Sequence, residues 1–119
     1  MPRGAIVAVA MLLAGCGVPH ELPKQAEEVE SIAAEAALLA HDAAEGDTLA
    51  SYRRAHGRAL ARQLSTLRAA IDDVELAGVA QRVAADLARL VAEGGDEDVA
   101  AALERRLESA AEDAGEIAR

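Results

Sequence analysis

Few side chains in this 119-residue sequence could carry out chemistry. Cys16 is the only cysteine, and the only histidines are His20, His41 and His56. A thiol can be covalently modified, and an imidazole can transfer protons or bind metals. A single cysteine excludes an intrachain disulfide and the zinc sites that use pairs of closely spaced cysteines. The thiol and imidazole chemistry of this chain is therefore limited to one cysteine and three separated histidines.

The histidines do not belong to a recognisable metal-binding pattern. His41 and Glu45 lie four residues apart and can touch on one face of a helix, but two ligands are too few for a metal site. The motif of di-iron bundles places glutamate three residues before histidine, where this chain has Leu38 and Arg53. We predict a solvated His41, a partly buried and hydrogen-bonded His56, and neither a metal nor a cofactor.

The serines, glycines and carboxylates also lack the patterns typical of active sites. The sequence contains no Gly-x-Ser-x-Gly elbow, phosphate-binding loop or strand-linked dinucleotide motif. Acidic side chains are numerous, but their spacing places them on solvent faces of helices, whereas catalytic carboxylate pairs need a cleft. We therefore predict no catalytic residues and a protein that is not an enzyme.

The first sixteen residues, MPRGAIVAVAMLLAGC, have the anatomy of a secretory signal. Arg3 gives a positive start, and an uncharged apolar run extends from Gly4 to Ala14. This run is shorter than the roughly 20 apolar residues that a membrane-spanning helix requires. Its length and flanking residues are typical of a signal peptide. We predict that residues 1–15 are a signal peptide and do not belong to the fold.

The end of this segment resembles the lipobox of bacterial lipoproteins, whose pattern is aliphatic residue, small residue, glycine or alanine, and cysteine. The matching residues are Leu13, Ala14, Gly15 and Cys16. The resemblance covers about the first 17 residues and implies a lipidated Cys16 thiol, cleavage before Cys16 and a membrane-held domain outside the cytoplasm. In this class Gly17 permits transport to the outer membrane, so the cell membrane and the outer membrane both remain open. The alternative is an ordinary secretory signal with an incidental Cys16.

The rest of the chain has the composition of an acidic helical domain. Two prolines and a glycine predict that residues 16–23 form a short lipidated tether, followed by a domain in 24–119. Phe and Trp are absent, alanine is abundant, and strand-forming residues are scarce. The net charge is −9, and the loss of Arg3 with the signal peptide makes it −10. Such a charge argues against nucleic-acid binding.

Apolar residues at helical spacing predict the first and last helices. The first helix is expected from Lys24, with Pro23 at its first turn and Gly46 as its stop. The last helix follows a pair of glycines and is expected to be capped by Asp96.

The middle of the chain allows two arrangements. Asp47 or Thr48 is expected to cap a second helix. Its predicted apolar stripe consists of Leu49, Tyr52, His56, Leu60, Leu64, Leu67, Ile71 and Val74. The next stripe is rotated by roughly 150°, which favours a turn capped by Asp73 over one continuous helix. We predict an all-α fold, a small antiparallel bundle of four helices, or of three helices with a long middle one.

Charge is distributed unevenly among the predicted helices. Residues 48–71 contain five arginines and no acidic residue, whereas the first and last helices are mostly acidic. We predict that the arginines, spread over several faces, lie beside the acidic helices. The alternative is a basic face for phosphates or lipid head groups.

These features together predict a non-enzymatic interaction or structural module of the bacterial envelope. The predicted partners are a membrane, reached through lipid on Cys16, and an envelope protein or a second copy of the chain. The alternative function is a helical module that binds a small ligand or metal cation through acidic helices and His41.

Overall fold

The computed structural model describes residues 21–119 and contains four α-helices there. The helices are α1 (Leu22–Ala44), α2 (Ala50–Arg68), α3 (Val74–Glu93) and α4 (Glu97–Ala118). Residues 21–119 contain no strand. The predicted all-α bundle is confirmed, with four helices rather than three. The predicted signal peptide and the predicted tether up to His20 lie outside the described residues.

Successive helices run antiparallel and close into a four-membered ring. Residue numbers rise on one helix while they fall on its neighbour. Between α1 and α2, Glu28 contacts Gln63 and Glu35 contacts His56. Between α2 and α3, the contacts are Arg53 with Leu90 and Arg68 with Gln81. Between α3 and α4, they are Arg82 with Asp113 and Asp86 with Arg106. α1 and α4 form the most extensive contact, which completes the ring. α2 and α4 are therefore diagonal to each other and do not touch.

The core contains aliphatic side chains from all four helices. The largest fully buried ones are Val29, Ile32, Leu64, Leu76, Val83, Leu87, Leu90, Leu103 and Leu107. Alanines of α1 and α4 supply much of the rest, and none of the core residues is aromatic. Small side chains allow two helices to approach closely, which accounts for the extensive contact between α1 and α4.

Most helix ends follow the sequence predictions. α1 begins at Leu22, earlier than expected, with Pro23 in its first turn, and it ends before Gly46, whose φ is +73°. The Asp73 carboxylate accepts a hydrogen bond of 2.9 Å from the Leu76 N–H, so the chain turns there. The Asp96 carboxylate accepts from two main-chain N–H groups of α4.

Two predictions about α2 are wrong. Neither Asp47 nor Thr48 caps the helix, because α2 starts after Leu49, and no side chain caps it there. The two ends of the predicted stripe are also wrong, since Leu49, Tyr52 and Val74 are 75%, 55% and 85% exposed. Arg53 is buried instead, because its position on the helix faces the end of α3.

Gly57 explains how α2 approaches its neighbours closely. It lies within the helix and is buried. A Cβ atom at this position would lie 2.7 Å from a methyl carbon of Val91 on α3. The absence of a side chain therefore lets α3 pack directly against the backbone of α2.

Candidate functional site

A groove of about 520 Å³ lies between α1 and α4 on the outside of the bundle. Its apolar lining is Ala34, Ala37, Leu38 and Ala111. Its charged lining is Glu30, His41, Glu104, Glu108, Glu112 and Arg119. The three glutamates of α4 lie four residues apart and therefore share one face of that helix. We call them the glutamate row: Glu104, Glu108 and Glu112. The groove thus combines an apolar lining with mainly acidic groups.

His41 forms the one polar contact across this groove that the described residues show. Its Nδ1 lies 3.0 Å from Oε2 of Glu104, whereas the sequence suggested Glu45 as the neighbour on the same helix. The hydrogen bond to Glu104 and the negative charge of Glu104 raise the pKa of His41 above its usual 6.5, and Glu45 and Asp42 add to the effect. The side chain is 49% exposed, in agreement with the predicted solvated histidine.

This contact predicts a pH dependence that can be measured at His41. NMR titration should give a midpoint above 6.5, and Glu104→Gln should lower it, because the substitution removes the negative partner. Since the folded state binds the proton more tightly than the unfolded chain, the stabilisation from His41 is complete below its unfolded pKa. It disappears as the pH rises through the raised pKa of the folded state.

Glu108→Gln is the matched control for this titration. Glu108 lines the same groove, but the structure shows no hydrogen bond between it and His41. A His41 midpoint at or below 6.5 in the unmodified protein, or an equal change from both substitutions, would contradict the assignment.

His56 lies at a different helix contact. Its Nε2 is 3.3 Å from Oε2 of Glu35 on α1, and its ring stacks on Tyr52 with the ring centres 5.5 Å apart. The side chain is 27% exposed, which confirms the predicted partial burial, and the contact to Glu35 is an ion pair rather than the predicted hydrogen bond. Because His41 faces α4 and His56 faces α1, the structure does not bring the two imidazoles together.

Among residues 21–119, no three or more His, Cys, Asp or Glu side chains are placed to hold a metal ion.

Among residues 21–119, three polar side chains are buried, and each forms a hydrogen bond with another helix or with the turn between α2 and α3. They are Gln25 to the Ala70 carbonyl at 3.1 Å, Arg53 to the Leu90 carbonyl at 3.1 Å, and Asp86 to the Arg106 guanidinium at 3.0 Å. These bonds join elements of the bundle and satisfy groups that would otherwise be costly to bury. None of the three was predicted from the sequence. The sequence does contain an indication of such residues, namely a polar residue at a position that continues the spacing of an apolar stripe. Asp86, three residues after Val83 on α3, is an example.

The exposed arginines of α2 share one side of the helix. Counted at 100° per residue, they fall within about 120° of arc. We call them the arginine row: Arg54, Arg58, Arg62 and Arg68. All are exposed, and among residues 21–119 none of them forms an ion pair. Arg68 instead donates a hydrogen bond to the Gln81 side chain on α3.

The prediction for the five arginines is thus correct only in part: Arg53 lies on a different, buried face and α2 packs beside the acidic α1, but within the described residues the arginine row forms no ion pair with either acidic helix. α4 is diagonal to α2 and does not reach it. α1 meets α2 through other polar groups, since Glu35 contacts His56 and Glu28 accepts a hydrogen bond from Gln63. Four of the five α2 arginines consequently form an open basic face on an acidic protein.

Neither the family models nor the curated proteins nor the solved structures that we compared with this chain match it. The candidate lipobox residues Leu13, Ala14, Gly15 and Cys16 lie outside the described residues. Within residues 21–119, no helix combines the length and the apolar character that crossing a membrane requires.

Proposed function

We propose that this chain is a lipoprotein of the bacterial envelope, held on a membrane by lipid on Cys16, with the bundle as a non-enzymatic interaction or structural module. The observation that carries the proposal is the run Leu13-Ala14-Gly15-Cys16 after a charged start and an apolar segment, in a chain with no other cysteine. Each buried methylene contributes about 0.8 kcal/mol, so two or three acyl chains hold a small domain stably on a membrane.

The position of the bundle in the chain supports this arrangement. α1 begins at Leu22, six residues after Cys16. A fully extended segment of this length spans about 20 Å, so the proposed anchor would keep the bundle close to the membrane surface. A short tether of this kind suits a domain that contacts other molecules at the membrane.

The surfaces of the bundle support an interaction role. The groove between α1 and α4 is open, with Leu38 66% exposed beside acidic groups. The arginine row presents the opposite charge on a different helix. An exposed apolar side chain among charged groups and an unpaired charged row are both common features of contact surfaces.

The anchor is tested by replacing the cysteine. In a bacterial host, the unmodified protein is expected to partition into the detergent phase, and Cys16→Ser is expected to move it into the aqueous phase, because acyl chains supply the membrane affinity. Val18→Ala is the matched control, since it alters a nearby residue outside the lipobox and should leave the protein in the detergent phase. Equal partitioning of the unmodified protein and Cys16→Ser would contradict the proposal.

A second candidate function is the binding of a small ligand or a cation in the groove, for which its acidic lining supplies charge, although the described residues bring no three metal-binding side chains together there. The direct test is calorimetric titration with Zn²⁺ and with other divalent cations. A saturable heat that His41→Ala removes would support this alternative. The absence of heat at about 1 mM metal would discard metal binding, because a site with several protein ligands binds more tightly than this.

A further inference from the structure

Three residues of the arginine row have the same spacing as the glutamate row and the opposite charge. Arg54, Arg58 and Arg62 follow one another at intervals of four residues on α2. The glutamates of α4 have the same interval. Four helical residues correspond to a rise of about 6 Å, so three arginines can face three glutamates at the same time when the two helices lie side by side.

These rows cannot meet within one molecule. α2 and α4 occupy diagonal corners of the bundle and make no contact. Each molecule therefore presents the arginine row on α2 and the glutamate row on α4 to other molecules. Two copies can bring them together, and each copy then retains one further row for another neighbour.

The chemistry of the groove fits arginine side chains in particular. An arginine has an apolar stem and a charged planar head that binds carboxylates through two parallel hydrogen bonds. The groove has Ala34, Leu38 and Ala111 along its length and carboxylates beside them. Arginine stems can cover Leu38 while the heads reach the glutamates. On α2, the short side chains of Ala61 and Ser65 lie between the arginines and permit close approach.

An anionic membrane is the competing occupant of the arginine row. The protein as a whole carries a net charge of −9, which opposes its approach to a negatively charged surface. A second copy carries the same net charge, but its groove holds carboxylates at the same four-residue interval as the arginines, with apolar side chains beside them. At physiological salt, charges further away than about 8 Å are largely screened, so the fixed interval and the apolar lining of the groove distinguish the two occupants more than the net charge does.

We propose that copies of this protein associate head to tail, with the arginine row of one copy seated on the glutamate row of the next. The two contacting surfaces differ, so the contact does not close as a two-fold dimer and can extend into a chain of molecules. The inference deepens the proposed interaction module and rests on it by naming its partner as a second copy, but it does not require the lipid anchor.

Charge reversal tests the contact in the full chain carrying Cys16→Ser, which removes the lipid from the measurement. In sedimentation experiments, the average mass is expected to rise with protein concentration and to fall when salt is raised to about 1 M. Reversing three residues of the arginine row in a single variant (Arg54→Glu, Arg58→Glu and Arg62→Glu) should weaken association at least about 10-fold, because like charges then face each other.

The complementary variant reverses the acidic side with Glu108→Arg and Glu112→Arg, which leaves the Glu104 contact to His41 in place. This variant alone should also fail to associate. An equal mixture of the two reversed variants should associate again, because the unchanged arginine row of one variant can then contact the unchanged glutamate row of the other. Circular dichroism checks that each variant remains helical.

The matched control makes the same number of basic-to-acidic substitutions outside both rows: Lys24→Glu, Arg89→Glu and Arg105→Glu. It should associate more strongly than the arginine-row variant, since it changes the net charge equally but leaves the contact intact.

A monomer at all concentrations up to about 1 mM, or a mixture that does not associate, would overturn the proposal. Binding to phosphatidylglycerol vesicles through the arginine row, without self-association, would overturn it in favour of a lipid partner. Failure of the anchor would be recognised separately by detergent partitioning.

Discussion

Leu107→Ala is expected to lower the free energy of unfolding by about 3 kcal/mol, the largest effect of any single substitution predicted for the bundle. Leu107 is completely buried in α4, among core residues of the other helices. Its removal takes away apolar contacts and leaves a cavity that rigid helices fill only in part. Since a domain of this size has about 5–15 kcal/mol of stability, the urea midpoint should fall markedly.

Leu38→Ala is the matched control, because it makes the same chemical change on the surface of α1. Leu38 is 66% exposed, so its substitution should alter the stability by no more than about 0.5 kcal/mol. Urea unfolding followed by circular dichroism measures both variants. Similar losses from the two substitutions would mean that the core does not lie where the structure places it.

Arg53→Ala is expected to lower the free energy of unfolding by about 2 kcal/mol. The Arg53 side chain is buried, and its Nε donates to the Leu90 carbonyl near the end of α3, where Gly94 N–H also donates. The positive charge therefore lies at the negative end of the α3 dipole. The stem also fills space beside Gly94, because a Cβ atom there would lie 2.8 Å from Arg53 Cδ.

Arg54→Ala is the control, since it removes the same side chain from the next residue. Arg54 is exposed and, among residues 21–119, has no ion-pair partner, so little loss of stability is expected. Arg53→Met separates packing from charge, because it keeps an unbranched stem and removes the donor. Equal unfolding midpoints for Arg53→Ala and Arg54→Ala would contradict the role assigned to Arg53.

The sequence was sufficient to predict the parts of the fold that local interactions control. Gly46, Asp73 and Asp96 are found at the helix ends where their backbone and capping preferences place them. The change in phase between two apolar stripes predicted the turn at Asp73, although no glycine or proline marks it. These signals act within a few residues and do not depend on how helices pack.

Features that depend on contacts between helices were harder to predict. Leu49 and Tyr52 continue the helical spacing of apolar residues, but α2 faces α3 with Arg53 and Gly57 at that end of the helix. The reason lies in α3, because its last carbonyls offer a partner to a buried guanidinium. No property of residues 48–71 alone reveals that partner.

The candidate site also depends on which helices are neighbours. The groove exists because α1 and α4 pair along their length, and this pairing gives His41 its partner Glu104. The sequence instead suggested Glu45, which lies on the same helix. The charge pattern was visible in the sequence, but the diagonal placement of α2 and α4 leaves the arginine row without acidic partners in the described part of the chain.

Intact mass measurement of the protein purified from the membranes of a bacterial host tests the lipid anchor most directly. The proposal predicts the loss of residues 1–15 and a mass gain equal to a diacylglyceryl group, with or without a further acyl chain, on a chain that begins at Cys16. Cys16→Ser should remove the gain completely. An unmodified chain that is cleaved elsewhere, or not cleaved, would contradict the lipoprotein assignment and make Cys16 incidental.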